Sequence, residues 1–335
     1  MLKFFALSIS LLASISALAA DPELSFSDPY IDESPNLQPT VGGRAEGARL
    51  SLLAPSSAAL SSTTQPKLYW FATAEISSLT FSIQCAGDAK PIWTLKQSKQ
   101  SAGFHVLDLT KLNVQLPVQQ RCVWEAELPT VGNRTRKASA ALMVRPIGGA
   151  GSKTLQQLAA TGYWYDLIDA VSEKTQSKAA GSFALRARLL RQAGLQDAAA
   201  QDETHFPLEV TAKLAKQILK NGEPIALTLQ SNKPAFIRWV YLDVRGKQTL
   251  ILPNSYQRED VLAPYHPVKY PSATAEWALH VQAPFGQEQM KIYASEQPLE
   301  PISLVSTGFA TWREQDKARL PVGVIEIVLP FESKQ

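Results

Sequence analysis

Leu79-Thr80-Phe81-Ser82-Ile83-Gln84-Cys85 and Cys122-Val123-Trp124-Glu125-Ala126-Glu127-Leu128 are the two stretches whose reading decides the fold. Each alternates apolar and polar residues with period two. One face of the first strand therefore carries Leu79, Phe81, Ile83 and Cys85, and one face of the second carries Cys122, Trp124, Ala126 and Leu128. Working outward, shorter runs of the same kind occupy 67–73, 92–96, 105–109 and 138–144, divided by turn residues. Six or seven strands in about a hundred residues read as a β-sandwich over 41–147.

Beyond it the period changes. Leu155, Leu158, Ala159, Tyr163, Trp164, Leu167, Ile168 and Val171 recur at helical spacing, with Gly162 able to divide them, and a second helix over 183–193 ends at Gly194. The intervening Pro146–Thr154 stretch superficially resembles a phosphate-binding loop, but Ser152 and Ile147 stand where that motif needs glycine, so it reads as a linker and helix cap. Strands return at 208–213, 225–231, 236–244, 248–253, 276–282, 289–294 and 322–329, with Arg245-Gly246 as a tight hairpin. The fold class is mainly β with a helical insert (α+β). Two β-sandwich-like domains, 41–147 and 205–335, are separated by a glycine-rich hinge and helical hairpin at 148–204.

Composition narrows the function. Of 335 residues, 45% are hydrophobic and seven are Trp, enough for large cores. A net charge of +3, evenly spread, lacks the basic stripe of a nucleic-acid binder. Two cysteines and four histidines do not build the usual metal frameworks, and no metal or cofactor is expected.

The start of the chain reads as an export signal. Met1 and Lys3 precede an apolar run from Phe4 to Leu12 and the small-x-small site Ala17-Leu18-Ala19, which predicts a signal peptide over 1–19 cleaved after Ala19. An acidic, proline-rich lead-in follows at 20–40, and no downstream stretch is long enough to span a membrane. The expected location is periplasmic or secreted. In that oxidising compartment two core-facing cysteines on different strands predict a disulfide between Cys85 and Cys122. Buried free thiols or a redox pair are the alternatives, the latter without a Cys-x-x-Cys motif.

Two resemblances emerge. Val41-Gly42-Gly43-Arg44, Gln65-Pro66-Lys67-Leu68-Tyr69-Trp70, Gly162-Tyr163-Trp164-Tyr165-Asp166 and Leu189–Leu195 resemble the uncharacterised bacterial domain family 928, over about 38–200. Gly222-Glu223, Ser231-Asn232-Lys233, Phe236–Tyr241, Leu252-Pro253-Asn254 and Pro284-Phe285-Gly286-Gln287-Glu288 resemble uncharacterised family 4384, over about 218–298. The second is similar to extracytoplasmic modules fused to signalling or protease-like partners, which implies a binding attachment. Neither resemblance supplies a catalytic residue.

Chemistry-bearing residues are sparse. No Gly-x-Ser-x-Gly elbow occurs, and the histidines stand apart at 105, 205, 266 and 280. Asp166, Asp169 and Glu173 share one side of a helix, as a solvated face or an acid–base pair, and Asp166 is placed to bond backbone of the adjoining sandwich. Asn133-Arg134-Thr135 fits a glycosylation acceptor but reads as a turn. The segment 256–270 mixes aromatic and polar groups among prolines, which suits glycan stacking or a protein contact, or else an irregular loop packed on its own sheet. Tyr256, Arg258, Tyr265, His266 and Tyr270 are its candidate binding residues. The expected function is that of an exported, non-enzymatic adaptor binding another envelope protein through the C-terminal domain. A cell-wall or polysaccharide binder, and a hydrolase with a hidden site, are the alternatives.

Overall fold

The computed structural model describes residues 24–27, 37–42, 48–130, 134–148, 153–179, 181–258 and 260–335. The signal-peptide region, lead-in residues 20–23 and 28–36, hinge residues 149–152, Asn133 and Glu259 lie outside the described residues. The chain is mostly β and divides into two units, 1–199 and 200–335.

The first unit holds strands β1 (Thr40–Gly42), β2 (Arg49–Leu52), β3 (Ala59–Ser61), β4 (Lys67–Ala72), β5 (Ile76–Cys85), β6 (Trp93–Gln100), β7 (Gly103–Asp108), β8 (Arg121–Thr130) and β9 (Arg134–Val144). They form two sheets, ordered β1-β2-β4-β7 and β3-β9-β8-β5-β6. The period-two residues face one shared core: Leu79, Phe81, Ile83 and Cys85 on β5 are buried, as are Cys122, Trp124 and Ala126 on β8. Burying a core side chain of this size stabilises by roughly 1.5–3 kcal/mol. Cys85 lies directly opposite Cys122 in the β5–β8 register, and the two are joined as a disulfide with an S–S distance of 1.97 Å.

Strand β4 is buried on both faces, so its sequence is a continuous apolar run rather than an alternation. Leu68 and Trp70 point into the sandwich, while Lys67, Tyr69 and Phe71 point to the other face, where helices dock. These helices are α1 (Leu155–Ala160), α2 (Trp164–Gln176) and α3 (Ser182–Gln192); a further helix, α4 (Gln196–Glu203), follows. A capping box of Thr154 and Gln157 starts α1. Gly162, at φ +78°, breaks α1 from α2. The helices share the sandwich core: Trp164 Nε1 donates to Leu53 O at 2.7 Å, and the Tyr165 hydroxyl donates to Ala141 O at 3.1 Å while accepting from Trp124 Nε1 at 3.0 Å.

The second unit holds β10 (Val210–Leu214), β11 (Ile218–Lys220), β12 (Leu227–Ser231), β13 (Ala235–Leu242), β14 (Gln248–Leu252), β15 (Val261–Leu262), β16 (Val268–Tyr270), β17 (Gln287–Ser295), β18 (Ala310–Thr311), the short helix α5 (Glu314–Ala318) and β19 (Ile325–Lys334). One sheet runs β10-β12-β16. The other runs β11-β19-β17-β13-β14-β18, with β15 on β13. Ile237 and Trp239 on β13 and Met290 and Ile292 on β17 fill the core between the sheets. The opposite face of the larger sheet carries Val240, Leu250, Tyr293 and Trp312. Gly246, at φ +78°, turns the β13–β14 hairpin. The strand expected over 276–282 does not form; one isolated bridge, Pro224 to His280, stands there instead. Trp277 and Val281 are anchored in the core without a ladder, so their apolar spacing imitated a strand.

Candidate functional site

The segment from 252 to 270 leaves the end of β14, crosses to β13 as β15 and returns as β16. Its frame is rigid. Asn254, fully buried, donates from Nδ2 to Ile251 O at 2.8 Å, and its Oδ1 accepts the Tyr256 and Gln257 N–H groups, each at 2.8 Å. The Ser255 hydroxyl donates to Gly308 O at 3.2 Å and accepts Gly308 N–H at 2.8 Å. Buried Arg238 on β13 grips the far end, with Nη1 paired to Asp260 and Nη2 donating to Leu299 O at 3.3 Å and Glu300 O at 3.1 Å. Such a charge costs several kcal/mol to bury unless it is paired and hydrogen-bonded in this way.

The five sequence candidates separate on this frame. Tyr256 is 49% exposed, and Arg258 and His266 are exposed. Tyr265 is half-buried at φ +67°; its N–H donates to Ser231 O at 2.7 Å, which fixes the loop to β12. Tyr270 is a correction: at 6% exposure it belongs to the core, because β16 pairs Tyr270 with Leu227 and turns its side chain inward. Sequence reasoning missed Val261, which is 50% exposed although it belongs to β15. Its position opposite Phe236 at the margin of the sheet is tertiary information. The signal that was available was Leu252-Pro253-Asn254 immediately upstream, since a buried Asn at a strand end holds a turn.

In the first unit the three helix carboxylates divide: Glu173 is exposed, as a solvated face requires, whereas Asp169 is half-buried and Asp166 is turned to the sandwich. The Ser62 N–H donates to Asp166 Oδ2 at 2.9 Å, and the Ser62 hydroxyl donates to Oδ1. Burial pushes the Asp166 carboxyl upward, opposed by these two bonds. Lys67 bridges Asp169 at 3.1 Å and Glu173 at 2.6 Å, and the hydrogen bond to Glu173 leads the causes that raise its ammonium. The carboxylates thus clamp α2 onto β4. His105 is stacked on Trp70, ring centroids 4.1 Å apart, with Nε2 2.8 Å from Ser101 O.

Beside this clamp lies a cleft of about 210 Å³, walled by Tyr69, Phe104, His105 and Val106 from the sheet and by Thr175, Gln176, Phe183 and Arg186 from the helices. The Arg186 guanidinium stacks over Phe104 at 4.0 Å. Four elements contribute to it, which is why no local motif announced it. Among the described residues, no group of three or more His, Cys, Asp or Glu gathers as metal ligands, and no helix is long and apolar enough to cross a membrane.

No curated protein matches the chain. Among solved structures it is similar to the fn3 domain of the human collagen alpha-1(XX) chain, at 8% identity and a TM-score of 0.19, covering 34% of this chain and 94% of that one. Murine CEACAM1b matches at 8% identity and a TM-score of 0.21, over 85% of this chain and 100% of that one. For red sea bream transglutaminase the values are 10% and 0.20, over 87% of this chain and 32% of that one. Residues 218–298 match the family described as domain of unknown function DUF4384.

Proposed function

We propose that this is an exported, non-enzymatic accessory protein of the bacterial envelope that engages another envelope protein through residues 254–266 of its second unit. The observation that carries the reading is the exposure of two large apolar side chains, Tyr256 and Val261, on a backbone pinned by Asn254, Ser255, Arg238 and Ser231. Apolar anchors on a pre-ordered backbone bind without the entropic cost of ordering a loop, and Arg258 and His266 supply a polar rim. Export rests on the leader read in the sequence and agrees with the disulfide. The non-enzymatic reading rests on the sequence, which carries no Gly-x-Ser-x-Gly elbow and sets its histidines apart at 105, 205, 266 and 280. Membership of 38–200 in family 928 is likewise our reading, resting on the strings quoted above.

The test is in-cell crosslinking from a photoreactive residue at position 256. The expected result is one reproducible protein adduct that is lost when Val261→Asp is added. Adducts with wall glycan alone would replace this reading with the polysaccharide one, and absence of any adduct would overturn the surface.

A further inference from the structure

The first unit carries a second surface that the proposed function does not use. Strand β7 ends its sheet: it pairs with β4 along its whole length, from Lys67 opposite Asp108 to Ala72 opposite Gly103, and no described strand lies on its other side. In this antiparallel register His105 and Leu107 turn their N–H and C=O groups to β4, and among the described residues nothing hydrogen-bonds to the outward groups of Phe104 and Val106. Proteins ordinarily guard such an edge with lysine, proline or a bulge, because it is a template for another strand. The edge strand of the companion sheet, β6, is guarded in this way by the exposed Lys96 and Lys99. Strand β7 is Gly103-Phe104-His105-Val106-Leu107-Asp108, with no lysine, arginine or proline, and its Val106 is 44% exposed. The cleft opens against this same edge, on the face shared by Phe104 and Val106.

We propose that the β7 edge and the adjoining cleft form a binding site for an extended polypeptide segment that carries one large apolar side chain. Only another extended backbone satisfies a row of alternating N–H and C=O groups, which fixes the class of ligand. A strand added about 4.8 Å beyond β7 directs every second side chain to the face of Phe104 and Val106, and thus into the cleft between Tyr69, Phe104 and Phe183. Size selects what enters. At about 210 Å³ the cleft is smaller than the roughly 300–1,000 Å³ of sites for cofactors and drug-sized ligands, and it suits a single aromatic or leucine side chain. Affinity then comes from the main-chain ladder and selectivity from one pocket.

The test selects phage-displayed random dodecapeptides on the full-length mature protein and maps a synthetic winner by hydrogen exchange. Enriched peptides are expected to share one Phe, Trp or Leu and to slow exchange of the outward Phe104 and Val106 amides by at least about tenfold. Val106→Lys, which gives β7 the guard that β6 already has, is expected to weaken binding by at least about tenfold at an exposed position that tolerates lysine. Phe183→Ala is expected to abolish the preference for the large residue while the edge remains, and circular dichroism checks that both variants fold. Peptides that protect residues outside 103–107 and ignore both substitutions, or the failure of any peptide to enrich, would overturn the site. Loss of the β7 site leaves the crosslinking test of residues 254–266 untouched, so the two surfaces stand or fall separately.

Discussion

The hydroxyl of Tyr69, on the outer face of β4, donates to Asp169 Oδ1 on α2 at 2.7 Å. Lys67, two residues earlier on the same face, reaches the same carboxylate, so one strand face holds one helix face through a shared acceptor. The helical segment is thereby welded to the sandwich instead of swinging as a spacer.

Tyr69→Phe is expected to cost about 1 kcal/mol in urea denaturation, since it removes one hydrogen bond and keeps the ring. Asp169→Ala should cost more, because it strands the Tyr69 hydroxyl and also takes from Lys67 one of its two carboxylate partners, leaving Glu173. Burial pushes the Tyr69 phenol well above its ordinary 10.0, with Asp169 adding to the effect. The folded value lies above the unfolded one, so this contribution is intact below pH 10.0 and is lost as pH climbs toward the folded value. Wild type should therefore lose stability above pH 10.0 faster than Tyr69→Phe, a comparison in which the other buried tyrosines are common to both proteins.

The disulfide predicts a mass difference of two hydrogens between oxidised and reduced protein, with no thiol alkylated before reduction. Replacing Cys85 and Cys122 together by Ala releases a closure spanning 37 residues and is expected to cost about 3–4 kcal/mol by chain entropy, measured by denaturation of both forms. Alkylation of two thiols in unreduced exported protein would refute the linkage.

Asn254→Ala leaves every exposed residue of 254–266 in place but strands the Ile251 carbonyl and the Tyr256 and Gln257 N–H groups. About 1–3 kcal/mol of stability should be lost. Crosslinking from position 256 should fall with it, because the anchors lose their frame. Tyr270→Ala is expected to cost about 3–5 kcal/mol as a core truncation, so any loss of partner in that variant reports unfolding rather than contact.

Glu288 on β17 is buried, with Oε1 accepting from the Tyr241 hydroxyl at 2.7 Å. Burial pushes its carboxyl up and nearby Asp243 adds to this, while hydrogen bonds from Tyr241 and Ser333 oppose it. A raised folded value means a contribution that is fully present below the ordinary 4.5 and lost as pH rises through the folded value. Glu288→Gln should thus be more stable than wild type at neutral pH, with the advantage vanishing in acid, as read by thermal unfolding across pH. An advantage that persists unchanged into acid would show that packing, not ionisation, is responsible.

The sequence by itself determined which faces are buried. Period-two alternation placed Leu79, Phe81, Ile83, Cys85 and Trp124 inside a sandwich because a strand turns every second side chain the same way, whatever it pairs with. Gly162 and Gly246 marked their breaks because positive φ is a local property of the backbone. What only the tertiary structure decided was which neighbour each face meets. Tyr270 looked like Tyr256 within one aromatic loop, and pairing with Leu227 made it core; nothing in that loop singled out Val261, and pairing with Phe236 at the sheet margin left it bare. Asp166, Asp169 and Glu173 were legible as one helix face, but Ser62, Lys67 and Tyr69, about a hundred residues away, turned that face into a clamp. The cleft and the unguarded β7 edge were invisible for the same reason: they are made by contacts between β4, β7, α2 and α3, and no periodicity within one segment encodes a contact between four.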